Sequence, residues 1–190
     1  DLRSRTLLDS SPQAGDGHAL VELGDVAGQD PSDRPLELLI SSVYISNDGS
    51  VYFGKSALEV SEQEAPETNR QRIDNMKRFL SEDGIEKALS AEFNPTETEV
   101  EYRDIILYYL VYLTWGINHC TDEMGYDKNI DRRFAMPCFD NTKARQYSRM
   151  LSRMLGDAQV AAIVLGEEIS EGVSLHRLKQ VCDNVYEKNY

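Results

Sequence analysis

Long apolar runs are scarce in this sequence. The longest, Ile105 to Leu113, is about half of what a bilayer-spanning helix requires. Cysteine is also scarce. Cys120, Cys138 and Cys182 are odd in number and widely spaced, which suggests neither a disulfide framework nor a zinc site and fits a reducing, cytoplasmic compartment. The histidines His18, His119 and His176 are equally scattered. Positive charge is short: 20 Lys plus Arg stand against 33 Asp plus Glu, a formal net charge of −13. That deficit argues against a nucleic-acid partner, whose phosphates need a positive surface, and against docking on an anionic membrane. No G-x-G-x-x-G, P-loop or G-x-S-x-G pattern is present. The opening Asp1-Leu2-Arg3-Ser4-Arg5 has neither the apolar run of a secretory signal nor an initiating Met, so we expect a processed piece of a longer chain.

What is present is enough apolar material for a core, 41% of 190 residues, and one domain is expected from that length. Residues 1–17 are polar and read as a flexible lead-in. His18 to Val26 suits a strand. Leu36 to Ser46 and Ser50 to Phe53 are β-rich runs around Asn47-Asp48-Gly49, a hairpin signal because Gly accepts the positive φ of the turn. Helical spacing follows in Lys55 to Glu62, in Arg70 to Leu80 (Ile73, Met76, Phe79, Leu80) and in Gly84 to Glu92.

Thr96-Glu97-Thr98-Glu99 reads as a capping box after Pro95, starting a helix that runs to about Cys120. Its apolar surface is broad, which implies burial on more than one side. Five of the ten tyrosines lie between Tyr102 and Tyr126, an ordinary core or an aromatic interface. Arg133 to Phe139 reads as a short strand. Helices are expected from about Asp140 or Thr142 to Leu155, from Asp157 to Leu165 after a break at Gly156, and from a Ser174 cap to about Glu187. Glu167 to Val173 reads as a turn region. The order is α/β or α+β.

Chemistry-bearing clusters are few. His119 and Cys120 are adjacent, so on a helix they point about 100° apart, a poor pair for a metal or a nucleophile. Carboxylate pairs such as Glu97/Glu99 and Glu167/Glu168 read as solvated surface in so acidic a chain. Arg70, Arg72, Lys77 and Arg78 stand out as a basic cluster on one expected helix. Such a cluster suits a polyphosphate, or else pairs with surrounding acids.

Three segments, taken in order, resemble the N-terminal lobe of the 70-kDa heat-shock chaperone ATPases, within the actin-like ATPase superfamily. Ser41-Ser42-Val43-Tyr44-Ile45, the Asn47-Asp48-Gly49 turn and Val51 to Ala57 resemble the family's "P-S-x-V" strand, hairpin and "G-x-x-A" helix entry. Asn69 to Leu80, with Met76-Lys77-Arg78-Phe79-Leu80, resembles the segment ending in "K-R-L-I-G". Phe134 to Phe139, with Ala144-Arg145-Gln146, resembles "V-P-A-x-F" and the "R-Q" helix after it. The similarity spans roughly Leu36 to Leu155.

The resemblance implies an actin-like, ribonuclease-H-like lobe: a mixed sheet with flanking helices and a helical C-terminal part. It divides the chain into the lead-in 1–17, a first-lobe-like domain 18–155 and a helical extension 156–190. Lys77 and Arg78 match the "K-R" pair near the family's nucleotide cleft and are the candidate nucleotide-binding residues. No catalytic residue and no metal ligand is carried over. The family's "D-x-G-T-T" and "D-x-G-G-G-T" phosphate turns and its "D-M-K" lysine have no match here. ATP and Mg are therefore expected only in an intact parent protein, with a protein client or cochaperone as partner. The alternative is a non-catalytic interaction or oligomerisation module on an ATPase-like scaffold, with a homo-oligomer as one outcome. An unrelated acidic α/β domain is the third reading.

Overall fold

The computed structural model describes residues 3–4, 6–9, 18–30, 32, 35–65, 69–74, 76–81, 84–126 and 141–188. The elements are β1 (Arg3–Ser4), β2 (Thr6–Asp9), β3 (His18–Val21), α1 (Leu23–Val26), β4 (Leu39–Ile40), β5 (Val43–Ile45), β6 (Ser50–Phe53), α2 (Gly54–Glu64), α3 (Met76–Ser81), α4 (Tyr102–Glu123), α5 (Asn141–Leu165), α6 (Glu168–Glu171), β7 (Val173–Ser174) and α7 (Leu175–Lys188). The α/β character is as expected. The mixed sheet is not: every pairing of these strands is antiparallel, in the small sheets β1–β4, β2–β3 and β5–β6–β7. A tight turn forces β5 and β6 antiparallel, and a parallel pair would need a crossover of a dozen or more residues. The strand expected over Arg133 to Phe139 lies outside the described residues.

The hairpin forms where the Asn-Asp-Gly signal puts it, in the register Val43↔Phe53, Tyr44↔Tyr52 and Ile45↔Val51. Gly49 takes φ +82°, and Asp48 Oδ1 accepts the Ser50 N–H at 2.9 Å. The Ser46 hydroxyl also donates to Asp48, and this bond leads the causes that hold the Asp48 carboxyl below its usual range. At Gly54 (φ +57°) the chain turns directly into α2. A side chain there would meet the Tyr112 hydroxyl, with Cβ 2.8 Å from Oη.

Several expectations are corrected. Part of the lead-in, Arg3–Ser4 and Thr6–Asp9, is strand, because backbone pairing with β4 and β3 overrides a polar composition. The strand expected over His18 to Val26 stops at Val21, and α1 follows. The helix expected over Arg70 to Leu80 shrinks to α3. Residues 69–74 run extended instead, because Ile73 exchanges both backbone hydrogen bonds with Val43, at 2.9 and 3.0 Å. Gly84 to Glu92 forms turns rather than a helix, held by the Ala88↔Glu101 bridge and by the Leu89 N–H donating to Val100.

That same bridge moves the start of α4. Glu101 is extended and serves as N-cap, with Asp104 Oδ2 accepting its N–H at 2.9 Å. Thr96 joins a separate turn, in which Asn94 Oδ1 accepts the Thr96 N–H at 3.0 Å and hydroxyl at 2.8 Å. Side chains of this type offer the backbone a local alternative to helix.

α4 is the central post. Its residues from Tyr108 to Gly116 are buried without interruption, as the broad apolar surface implies. It packs against α5, α1, α3 and α6. Phe53, Tyr112 and Trp115 stack in series, with ring centroids 5.1 and 5.9 Å apart. α5 runs unbroken through Gly156, since one exposed glycine costs only about 1 kcal/mol in a long helix. The expected turn region after it contains α6 and β7. β7 pairs with β6 (Ser50↔Ser174, Val51↔Val173), so the C-terminal part also completes the hairpin's sheet. α7 then packs on α5, and Ser174 Oγ accepts the Arg177 N–H at 3.3 Å as its expected cap. Among the described residues no helix is long and apolar enough to cross a membrane.

Candidate functional site

The expected basic cluster does not assemble on one helix. Arg70 lies in the extended segment beneath the hairpin. Its Nη2 donates to the Ile45 carbonyl at 2.7 Å and the Phe93 carbonyl at 3.2 Å, and its Nε donates to the Glu92 carbonyl at 3.1 Å. The guanidinium also sits 6.0 Å from the Tyr44 ring centroid. Partial burial lowers its affinity for the proton, against the pull of Tyr44 and Glu64. Arg72 grips Asp74 with two bonds, at 2.7 and 3.1 Å, and donates to Ser61 Oγ at 2.7 Å. Burial raises the Asp74 carboxyl, but hydrogen bonds from Arg72 and Ser42 outweigh it and hold the group below its usual range. These two arginines are internal fasteners.

Lys77 and Arg78 sit on α3, which is anchored by buried Met76 and Leu80. Phe79 stacks on Tyr102 with ring centroids 3.9 Å apart. Arg78 is exposed; Lys77 is described only in its backbone. The K-R pair and the Arg70/Arg72 pair thus occupy different local structures.

Tyr44 closes the other end of the hairpin. Its hydroxyl donates to Glu64 Oε2 at 2.6 Å, and the Glu64 carboxylate also accepts the Asn47 N–H. Burial, then the hydrogen bond and charge of Glu64, push the Tyr44 phenol up to about 12. An unfolded tyrosine ionises near ~10, so the folded state holds this proton more tightly. The stability that Tyr44 contributes is therefore fully present below pH ~10 and is lost as pH rises through ~12. Burial pushes Tyr108 and Tyr112 up as well and adds to the fall. Urea midpoints followed from pH ~9 to ~12 should decline, and less steeply in Tyr44→Phe. Identical slopes in the two proteins would show that Tyr44 is not a source of the loss.

His119 and Cys120 diverge as their adjacency predicts. His119 faces Glu123 at 3.5 Å and Glu167 at 3.9 Å, whereas Cys120 is buried near the Glu22 carbonyl. Trp115 Nε1 also donates to Glu167, at 3.4 Å. Cys182 is buried too, and burial pushes its thiol up to about 12, which makes it a poor nucleophile at neutral pH. Among the described residues, no group of three His, Cys, Asp or Glu side chains is arranged to hold a metal ion.

One feature the sequence reading missed lies on α5. Its inner face buries Tyr147, Leu151, Met154, Ala158, Ala161, Ala162 and Leu165. Its outer face leaves Val160, Ile163 and Val164 44%, 68% and 50% exposed. The available signal was a second apolar stripe at helical spacing beside the alanine-rich one. No family model matches this chain, and no curated protein and no solved structure is significantly similar to it.

Proposed function

We propose that this chain is the first-lobe portion of a heat-shock-chaperone-like ATPase, or of a degenerate relative, supplying framework rather than phosphate ligands. The observation that carries the reading is the β5–β6 hairpin turning at Gly49 and running at Gly54 straight into α2, in the order the resemblance implies. The described residues do not fit ATP and Mg by themselves. Arg70 and Arg72 are bonded inside the fold, and phosphate binding needs converging backbone N–H groups that one exposed Arg78 does not replace. Lys77 and Arg78 contribute to a nucleotide cleft only in an intact parent. Titrating this chain with Mg-ATP by calorimetry should give weak or undetectable heat. Sub-micromolar binding would refute the framework role.

The exposed apolar face of α5 favours a second reading, a non-catalytic interaction module on the same scaffold. Contiguous exposed apolar surface is where protein contacts form, whereas single exposed apolar side chains are ordinary.

A further inference from the structure

We propose that Gly166 is a single-residue hinge through which this chain exchanges its C-terminal unit, α6–β7–α7, with a second copy. The hinge works alike under either reading above. α5 ends at Leu165 and α6 begins at Glu168. Glu167 between them already has a helical backbone, with φ −69° and ψ −17°. Gly166, at φ +53°, is the residue that departs from helix. Its N–H donates to the Ala162 carbonyl at 3.0 Å, the bond that ends a helix on a left-handed residue. Glycine occupies left-handed and right-handed backbone about equally well. Turning this one residue right-handed fuses α5 and α6 into a single helix, 141–171.

The bend at Gly166 is what brings the last elements home. Ile169 and Val173 are buried, β7 lies on Ser50 and Val51 of β6, and α7 packs on α5 through a face that buries Leu175, Leu178 and Val181. In the fused helix α6 and β7 leave these places. The vacated edge of β6 and the vacated surface of α5 fit the same unit of another copy as closely as they fit their own, because the residues are identical. Reciprocal exchange closes with two-fold symmetry and leaves no open end. The packing of β7 and α7 is rebuilt between chains, so the hinge residue and the freedom lost on association chiefly separate the two forms. The remaining tie is the Glu167 carboxylate, which accepts the Trp115 Nε1 hydrogen at 3.4 Å and lies 3.9 Å from His119. Its side chain is exposed, and such contacts contribute little. α7 must unpack before it can exchange, so the two forms interconvert slowly enough to be separated.

Light scattering on a sizing column, applied to the full chain refolded from urea at low and high concentration, tests the proposal. Refolded dilute, the chain should run at 21.5 kDa; refolded concentrated, a fraction should run at twice that mass. Alanine disfavours the left-handed state and favours helix, so Gly166→Ala should tighten association at least ~100-fold. Gly166→Asn, which tolerates left-handed backbone, should behave as the parent. Gly156→Ala, inside α5, should leave the mass unchanged. Circular dichroism checks that each variant folds. Exchange itself is read from Ser50→Cys combined with Ser174→Cys, which are Cα partners across β6 and β7. After oxidation and denaturation, the heavy fraction should contain chains linked in pairs and the light fraction chains linked internally, with each single variant as the control for the native cysteines. A heavy fraction linked only within chains overturns the exchange. A folded Gly166→Ala that stays at 21.5 kDa at every concentration overturns the hinge. Where Gly166→Ala does not fold, the parent decides alone, and the absence of a heavy fraction after concentrated refolding overturns the proposal.

Discussion

Tyr112→Ala is expected to be among the most destabilising single substitutions in this protein, costing about 3–5 kcal/mol. The Tyr112 ring is stacked between Phe53 and Trp115, with interplanar angles of 13° and 17°, and lies 6.2 Å from the Tyr109 ring. Phe53 belongs to the hairpin, whereas Tyr112 and Trp115 belong to the central helix. The stack therefore joins sheet to helix. Its removal leaves a cavity and loses ring contacts worth roughly 0.5–1.5 kcal/mol each beyond buried area. Gly54, which turns the hairpin into α2, packs against the same ring and cannot move in to fill the gap without breaking that turn. Against a total stability of about 5–15 kcal/mol, much of the folded margin goes. Urea denaturation should show the midpoint collapse in Tyr112→Ala, while Tyr112→Phe, which keeps the stack, should lose under ~1.5 kcal/mol. Equal losses in the two variants would mean the stack contributes little.

Arg70→Ala is the second large effect, also about 3–5 kcal/mol. One guanidinium holds three carbonyls from two separate segments: Ile45 at the end of β5, and Glu92 and Phe93 in the turn region ahead of α4. Hydrogen bonds from a charged donor contribute roughly 1.5–3 kcal/mol each, and partly buried carbonyls left without a donor cost more. Arg70→Lys should recover less than half, because a single ammonium cannot reproduce the planar fork. Arg78→Ala, on an exposed position of α3, should change stability by less than ~1 kcal/mol. This contrast separates the two pairs of basic residues. If Arg70→Ala were as stable as the parent, Arg70 would be available for a ligand after all.

The contrast also marks how far the sequence was legible. The Asn47-Asp48-Gly49 turn, the burial around α4 and the cap at Ser174 follow from local rules: a positive φ, a broad apolar surface, a hydroxyl before a helix. The extended run 69–74 does not. Ile73, Met76, Phe79 and Leu80 keep helical spacing, yet Ile73 pairs with Val43, thirty residues away (73 − 43). A hydrogen-bonded bridge to a strand outweighs a propensity difference of a few tenths of a kcal/mol per residue. The same holds for Thr96, a sound cap by type, which the Ala88↔Glu101 bridge leaves outside the helix. The candidate site suffered most from this. Four basic residues close in sequence are one cluster only if one helix carries them.

The sequence by itself determined an acidic α/β chain with a hairpin, a buried central helix and few groups suited to catalysis. Those properties depend on composition and on neighbours within a few positions. The tertiary structure decided where α3 and α4 begin, that Arg70 and Arg72 bond inward, that β7 completes the sheet and that Val160 and Ile163 face solvent. Each of these turns on contacts between distant segments. Local pattern can show that a side chain is apolar or charged, but which neighbour meets it is settled only when the elements pack.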